Sequence, residues 1–175
     1  MKRTLVSAAL LLLLSACFES DTPLGPPGAI ARGSSFVGIW RCHTPTMASN
    51  EIMTITVLPF DAQQLLVELK ESAIVGDVEQ SRPSDIDRYR FYPSQLDGKS
   101  GPQILWNAQE LGKSNWVFVR IKQAGKSNLT AQIVQDDALQ GKTESEKLSD
   151  LRSRVSDEAI YGEAISCKQL PDAQH

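Results

Sequence analysis

Histidine is nearly absent from this chain. His43 and the terminal His175 are the only two in 175 residues. A Ser-His-Asp or Cys-His device would have to use His43, because His175 ends the chain. His43 sits beside Cys42, and neighbours on a strand point to opposite faces. No G-x-S-x-G occurs to supply a nucleophile elbow. Neither CxxC nor HxxxH spacing is present, so no metal ligand set is expected and no cofactor is called for. Asp136-Asp137 and Asp157-Glu158 read as loop and helix-surface charges; a glycosidase would need two carboxylates converging in a cleft. The chain reads as non-enzymatic, and an unrecognised carboxylate site is the form an enzyme would take.

Long hydrophobic runs are lacking too. The longest, Leu5 to Leu14, is apolar apart from Ser7. It is about half the ~20 residues that a spanning helix requires. Lys2 and Arg3 precede it and Ser15-Ala16 follow it, the layout of a signal peptide over residues 1–16. Basic charge is also short. Without Lys2 and Arg3 the 18 basic residues become 16 against 21 acidic ones, a net charge of about −5. That argues against nucleic acid, which needs a clustered positive surface. It suits a cationic protein partner.

Leu14-Ser15-Ala16-Cys17 matches the lipobox of bacterial lipoproteins, and the whole N-terminal segment resembles their signal peptides. The resemblance implies a diacylglyceryl thioether on Cys17, cleavage before it, and acylation of the new amino group. Two or more acyl chains anchor stably. In these lipoproteins an aspartate after the cysteine implies inner-membrane retention; Phe18 stands here, which implies an outer-membrane lipoprotein facing the periplasm. Residues 17–34 hold Pro23, Pro26, Pro27, Gly25, Gly28 and Gly33 without hydrophobic period, and read as the lipidated cysteine and a flexible tether. Extended, about 17 residues reach roughly 55 Å, enough to let the domain stand away from the lipid.

Lipidation leaves Cys42 and Cys167, near opposite ends of the folded region, in a compartment that permits oxidation. One disulfide is expected, with free thiols or a metal pair as the alternatives. Residues 35–170 are one domain, followed by a tail over 171–175. The strand candidates are residues 36–42, 51–58, 64–70, 88–92, 103–111, 115–122, 128–135 and 163–170. Residues 71–87 read as a long loop with a weak strand at Ile74-Val75. Gly98-Lys99-Ser100, Gly112-Lys113-Ser114 and Gly125-Lys126-Ser127 recur at the spacing of an antiparallel meander. They are not phosphate loops, because the position five residues earlier, where the motif needs glycine, holds Pro93, Asn107 and Arg120. Thr143 and Glu146 form a capping box. Leu148, Leu151, Val155 and Ala159 make one helical stripe, and Gly162 is a stop. The predicted fold is mainly β: an antiparallel meander closing into a small barrel or strongly bent sheet, with one late helix before the last strand. A Cys42–Cys167 bond would tie the end strands and close the sheet.

Gly38-Ile39-Trp40 matches the G-x-W on the first strand of lipocalins, and the strand count, late helix and disulfide resemble that group loosely. Lipocalins place their helix after the barrel strands. The resemblance implies Trp40 packed across a closed barrel end and carriage of an apolar small molecule. Trp106, Trp116 and Phe118, in adjacent strand candidates, are the further residues expected either in an apolar pocket or in the core. Trp116 to Val119 is apolar on both faces and should be central or covered by the helix. Trp40-Arg41-Cys42, with an early and a late cysteine, is similar to the start of small lysozyme-inhibitor lipoproteins, which implies an inhibitor or immunity protein acting on a cationic wall-degrading enzyme. The expected function is non-catalytic binding of another envelope protein from a lipid anchor; the alternative is the lipocalin-like carrier.

Overall fold

A computed structural model describes residues 17–27, 35–81, 86–98 and 101–171. The signal segment 1–16, residues 28–34 of the expected tether, the middle of the first Gly-Lys-Ser turn and the tail from 172 lie outside these residues. Ten strands follow in chain order: β1 (Glu19–Ser20), β2 (Gly38–His43), β3 (Glu51–Pro59), β4 (Leu65–Val75), β5 (Val78–Gln80), β6 (Ile86–Gly98), β7 (Gly101–Glu110), β8 (Trp116–Gln123), β9 (Asn128–Ile133) and β10 (Ile165–Gln169). One helix, α1 (Glu144–Arg154), and a 3-10 turn over Glu158–Ile160 lie between β9 and β10.

Eight strands close a barrel. Pairing runs β8-β7-β6-β4-β3-β2-β10-β9, and β9 returns to β8. Every pair is antiparallel. Closure removes the sheet edges that would otherwise template association. Cys167 stands directly opposite Cys42 in the β10–β2 register, and the two form a disulfide with Cα atoms 4.0 Å apart. Gly112 and Gly125 supply the positive φ, 93° and 75°, that the β7–β8 and β8–β9 turns need.

Alternation along the strands makes two cores. Trp40, Met53, Val57, Leu65, Val67, Trp106, Ala108 and Val119 fill the barrel interior with the disulfide. Tyr92, Leu96, Leu105, Trp116 and Phe118 face outward from β6, β7 and β8. There they are covered by Leu148, Leu151 and Val155 of the α1 region, with Ile160, Tyr161, Phe18 and Leu24. The expected cover over Trp116–Val119 is this second core.

Three expectations are corrected. Residues 71–87 are not one long loop: β4 runs on to Val75 and β5 pairs back on it. Lys70, Glu71 and Ser72 break the apolar alternation there, which hides the continuing strand. The fourth member of the helical stripe is not buried. α1 ends at Arg154, Asp157 caps the 3-10 turn by accepting the Ala159 N–H at 3.0 Å, and the change of pitch buries Ile160 and exposes Ala159. Residues 17–27 are not a free tether. They lie along the barrel, with Phe18 2% exposed and Ser20 and Leu24 buried.

Candidate functional site

The four aromatic residues expected in an apolar pocket or in the core are all buried, two in each of the two cores. Trp40 and Trp106 point into the barrel, whereas Trp116 and Phe118 point out beneath α1. The cause is register. Trp106 pairs with Val119, so Val119 is the β8 residue that shares its face, and Trp116 and Phe118 take the opposite one. The Trp40 indole N–H donates to the Phe36 carbonyl at 2.9 Å, and the Phe36 ring meets Trp106 edge-on at 5.3 Å. Trp40 is thereby a satisfied core aromatic plugging the barrel. The interior is packed with side chains, and the hollow at Leu24, Gly25, Pro26, Pro93, Ser94 and Gln95, about 180 Å3, lies outside it.

The N-terminal segment makes the second place of interest. β8 and β9 diverge after Val134, whose N–H donates to Phe118. Into this fork comes Cys17, bridged to Gln135. Phe18 donates its N–H to the Val134 carbonyl at 2.9 Å and stacks its ring 5.8 Å from Phe118. The chain turns there and runs out along β8, pairing Glu19 with Val117 and Ser20 with Trp116. Phe18 is the wedge of the fork. Farther on, the Leu24 N–H donates to the Asn107 Oδ1 at 2.9 Å. The Asn107 amide donates to Ser94 Oγ at 2.8 Å and to the Tyr92 carbonyl at 3.3 Å, so a fully buried polar side chain is satisfied. The helix start holds the same segment: Ser20 Oγ donates to Glu144 at 2.5 Å, and the Asp21 N–H to the same oxygen at 3.1 Å. The Ser20 hydroxyl first, helped by the Asp21 N–H and the Thr22 groups, holds the Glu144 carboxyl below its ordinary pKa against the opposing desolvation.

Cys17 stands outside the disulfide and is 7% exposed. Burial, with the Glu19 carboxylate second, pushes its thiol up to about 11. At the same barrel end Tyr89 faces inward. Burial raises its hydroxyl pKa most, followed by the charges of Asp87, Glu110, Cys17 and Glu71. Glu110 is ion-paired to Lys113 at 2.6 Å. His43 is exposed at the end of β2, on the outer face opposite Trp40 and Cys42. Among the described residues no three of His, Cys, Asp and Glu gather as a metal site, and no helix is long and apolar enough to cross a membrane. The arrangement holds and shields the segment.

Another set escaped the sequence reading. Arg120, buried on the outer face of β8, lies 3.7 Å over the Tyr161 ring and donates to Glu158 and Gln132. Tyr161 donates its hydroxyl to the Val155 carbonyl at 2.6 Å, and burial raises its pKa to about 12. This cluster latches the 3-10 turn to the barrel. An arginine in mid-strand was the only sequence signal for it. Comparison with known proteins finds no matching family model, no matching curated protein and no matching solved structure.

Proposed function

We propose that this protein is an outer-membrane lipoprotein, anchored through Cys17 on the periplasmic side, that binds another envelope protein without catalysing a reaction. The anchor rests on Lys2-Arg3, the apolar run and Leu14-Ser15-Ala16-Cys17. Cys17 is 7% exposed beside Gln135, so a lipidated Cys17 has to turn out of that place while Phe18 stays docked. The single observation that carries the binding mode is the filled barrel. Trp40 and Trp106 occupy the interior that a lipocalin-like carrier would keep for its ligand, while Ile39, Leu58 and Phe60 are left exposed on the outside. Apolar side chains on the exterior and none to spare in the interior suit contact with a protein. The net charge of about −5 after residue 16 favours a cationic partner, as an inhibitor or immunity protein of a wall-degrading enzyme would need.

Cross-linking the lipidated protein in its host, followed by native mass spectrometry of the purified protein, tests this reading. A cross-linked envelope protein together with a bare protein mass is the expected result. Extra mass of a few hundred daltons, lost on denaturation, would favour the carrier instead. Turnover of a wall glycan by the pure protein would favour an enzyme.

A further inference from the structure

The docked N-terminal segment fixes which way the barrel faces. In an antiparallel barrel successive connections alternate between ends. The β2–β3 connection (44–50), the β4–β5 turn (76–77) and the β7–β8 turn (111–115) share one end; the β3–β4 (60–64) and β8–β9 (124–127) turns lie at the other. The fork opens toward the first end, because β1 runs from Phe18 out to Ser20 opposite Trp116, where β8 begins. Cys17 enters along Gln135 from that same end. The Ile74 N–H donates to Asn50 and the Leu111 N–H to Arg88, which places the two hairpin tips on this rim. Each tip carries bare apolar side chains among its polar ones: Val75 and Val78 are 56% and 61% exposed, and Leu111 is 51% exposed.

We infer that the processed protein stands on the bilayer on this rim, with Val75, Val78 and Leu111 entering the boundary between headgroups and acyl chains. The inference rests on the lipid anchor at Cys17 and adds to it. A free tether would let the domain roam tens of ångströms from the surface. Here Phe18 is wedged in the fork one residue after the anchor, so Cys17 alone spans from the fold to the lipid and the rim is brought close to it. The occupant is the membrane because that is where Cys17 would lead. Asp77 stands in the β4–β5 tip, and Lys113 in the β7–β8 tip is ion-paired to Glu110 at 2.6 Å, so these tips present no basic cluster and the docking is apolar and gains nothing from anionic lipid. The opposite end, with Phe60, then faces the periplasm and the partner.

The test uses the full chain, processed and purified from host membranes, in vesicles of phosphatidylcholine with or without bromine on the acyl chains. Three variants each add one tryptophan: V78W and L111W on the rim, and F60W at the far end. Trp40, Trp106 and Trp116 are buried and give a constant background. A ring seated roughly 5–10 Å into the interface should lose about two-fold of its emission to the brominated chains. We expect that loss for V78W and L111W, equally with phosphatidylglycerol added, and none for F60W. Protein that sediments with the vesicles but leaves V78W and L111W unquenched keeps the anchor and overturns the docking. Protein that does not sediment overturns the anchor, and the docking with it.

Discussion

Phe18 follows the cysteine expected to carry lipid, yet its ring lies against Phe118 under the helix. Phe18→Ala removes a fully buried aromatic side chain and should cost about 3–5 kcal/mol in urea unfolding. A cost below about 1 kcal/mol would return the segment to a loose tether. The sequence did not disclose this residue: it stands between Leu14-Ser15-Ala16-Cys17 and a Pro- and Gly-rich stretch, with no neighbouring apolar period to mark it as core. The disulfide, in contrast, was legible. Only Cys42 and Cys167 remained, on strands near the two ends of the domain, and the structure places them opposite each other. The chain-entropy model gives about 4–5 kcal/mol for so long a loop. Cys42→Ser should therefore lower the melting temperature under oxidising conditions and leave it unchanged relative to wild type under full reduction. Equal curves under oxidising conditions would remove the bond from the account.

At the scale of elements, the helix start was readable and its second use was not. Thr143 and Glu146 make the capping box foreseen from their spacing: the Glu146 N–H donates to Thr143 Oγ1 at 3.3 Å, and the Thr143 N–H donates back to Glu146 at 3.0 Å. Glu144 also clamps Ser20 and Asp21, more than a hundred residues away. Spacing along a sequence cannot disclose that. Both carboxyls are held below their ordinary pKa of 4.5, Glu144 by Ser20 first and Glu146 by the Lys142 and Thr143 N–H groups. A depressed carboxyl contributes stability that is present above its unfolded pKa and is lost as pH falls through the folded value. Hydrogen exchange of residues 18–24 and of the first turn of α1 should accelerate below about pH 4.5. In Glu144→Gln the acid dependence at residues 18–24 should be flatter. If it is as steep as in wild type, Glu144 is not the clamp. Strand lengths were the least legible feature. β6 runs through Pro93, which falls where β6 has passed the start of β4 and has no partner on that side, a setting that tolerates proline. A proline in an isolated sequence reads as an end.

For the whole molecule, an antiparallel meander forming a small barrel or a strongly bent sheet followed from the turn spacing and the two end cysteines, and the β8–β9 pairing decides for the closed barrel. The separation of the four aromatics into an inner and an outer core did not. It depends on the β7–β8 register, which pairs Trp106 with Val119 and so turns Trp116 and Phe118 outward. That separation leaves the barrel plugged and moves the candidate binding surface to its exterior. Replacing Leu58 and Phe60 together by Asp should leave the unfolding midpoint within about 0.5 kcal/mol of wild type, since both are exposed, and should abolish the in-host cross-link. An unchanged cross-link would put the partner surface elsewhere on the barrel. The proposed anchor bears on both orientation and partner, and the intact mass of the protein extracted from host membranes tests it most directly. The account predicts a chain beginning at Cys17 and carrying a diacylglyceryl group with an amide-linked acyl chain. A chain that keeps residues 1–16, or that begins elsewhere without lipid, would contradict it.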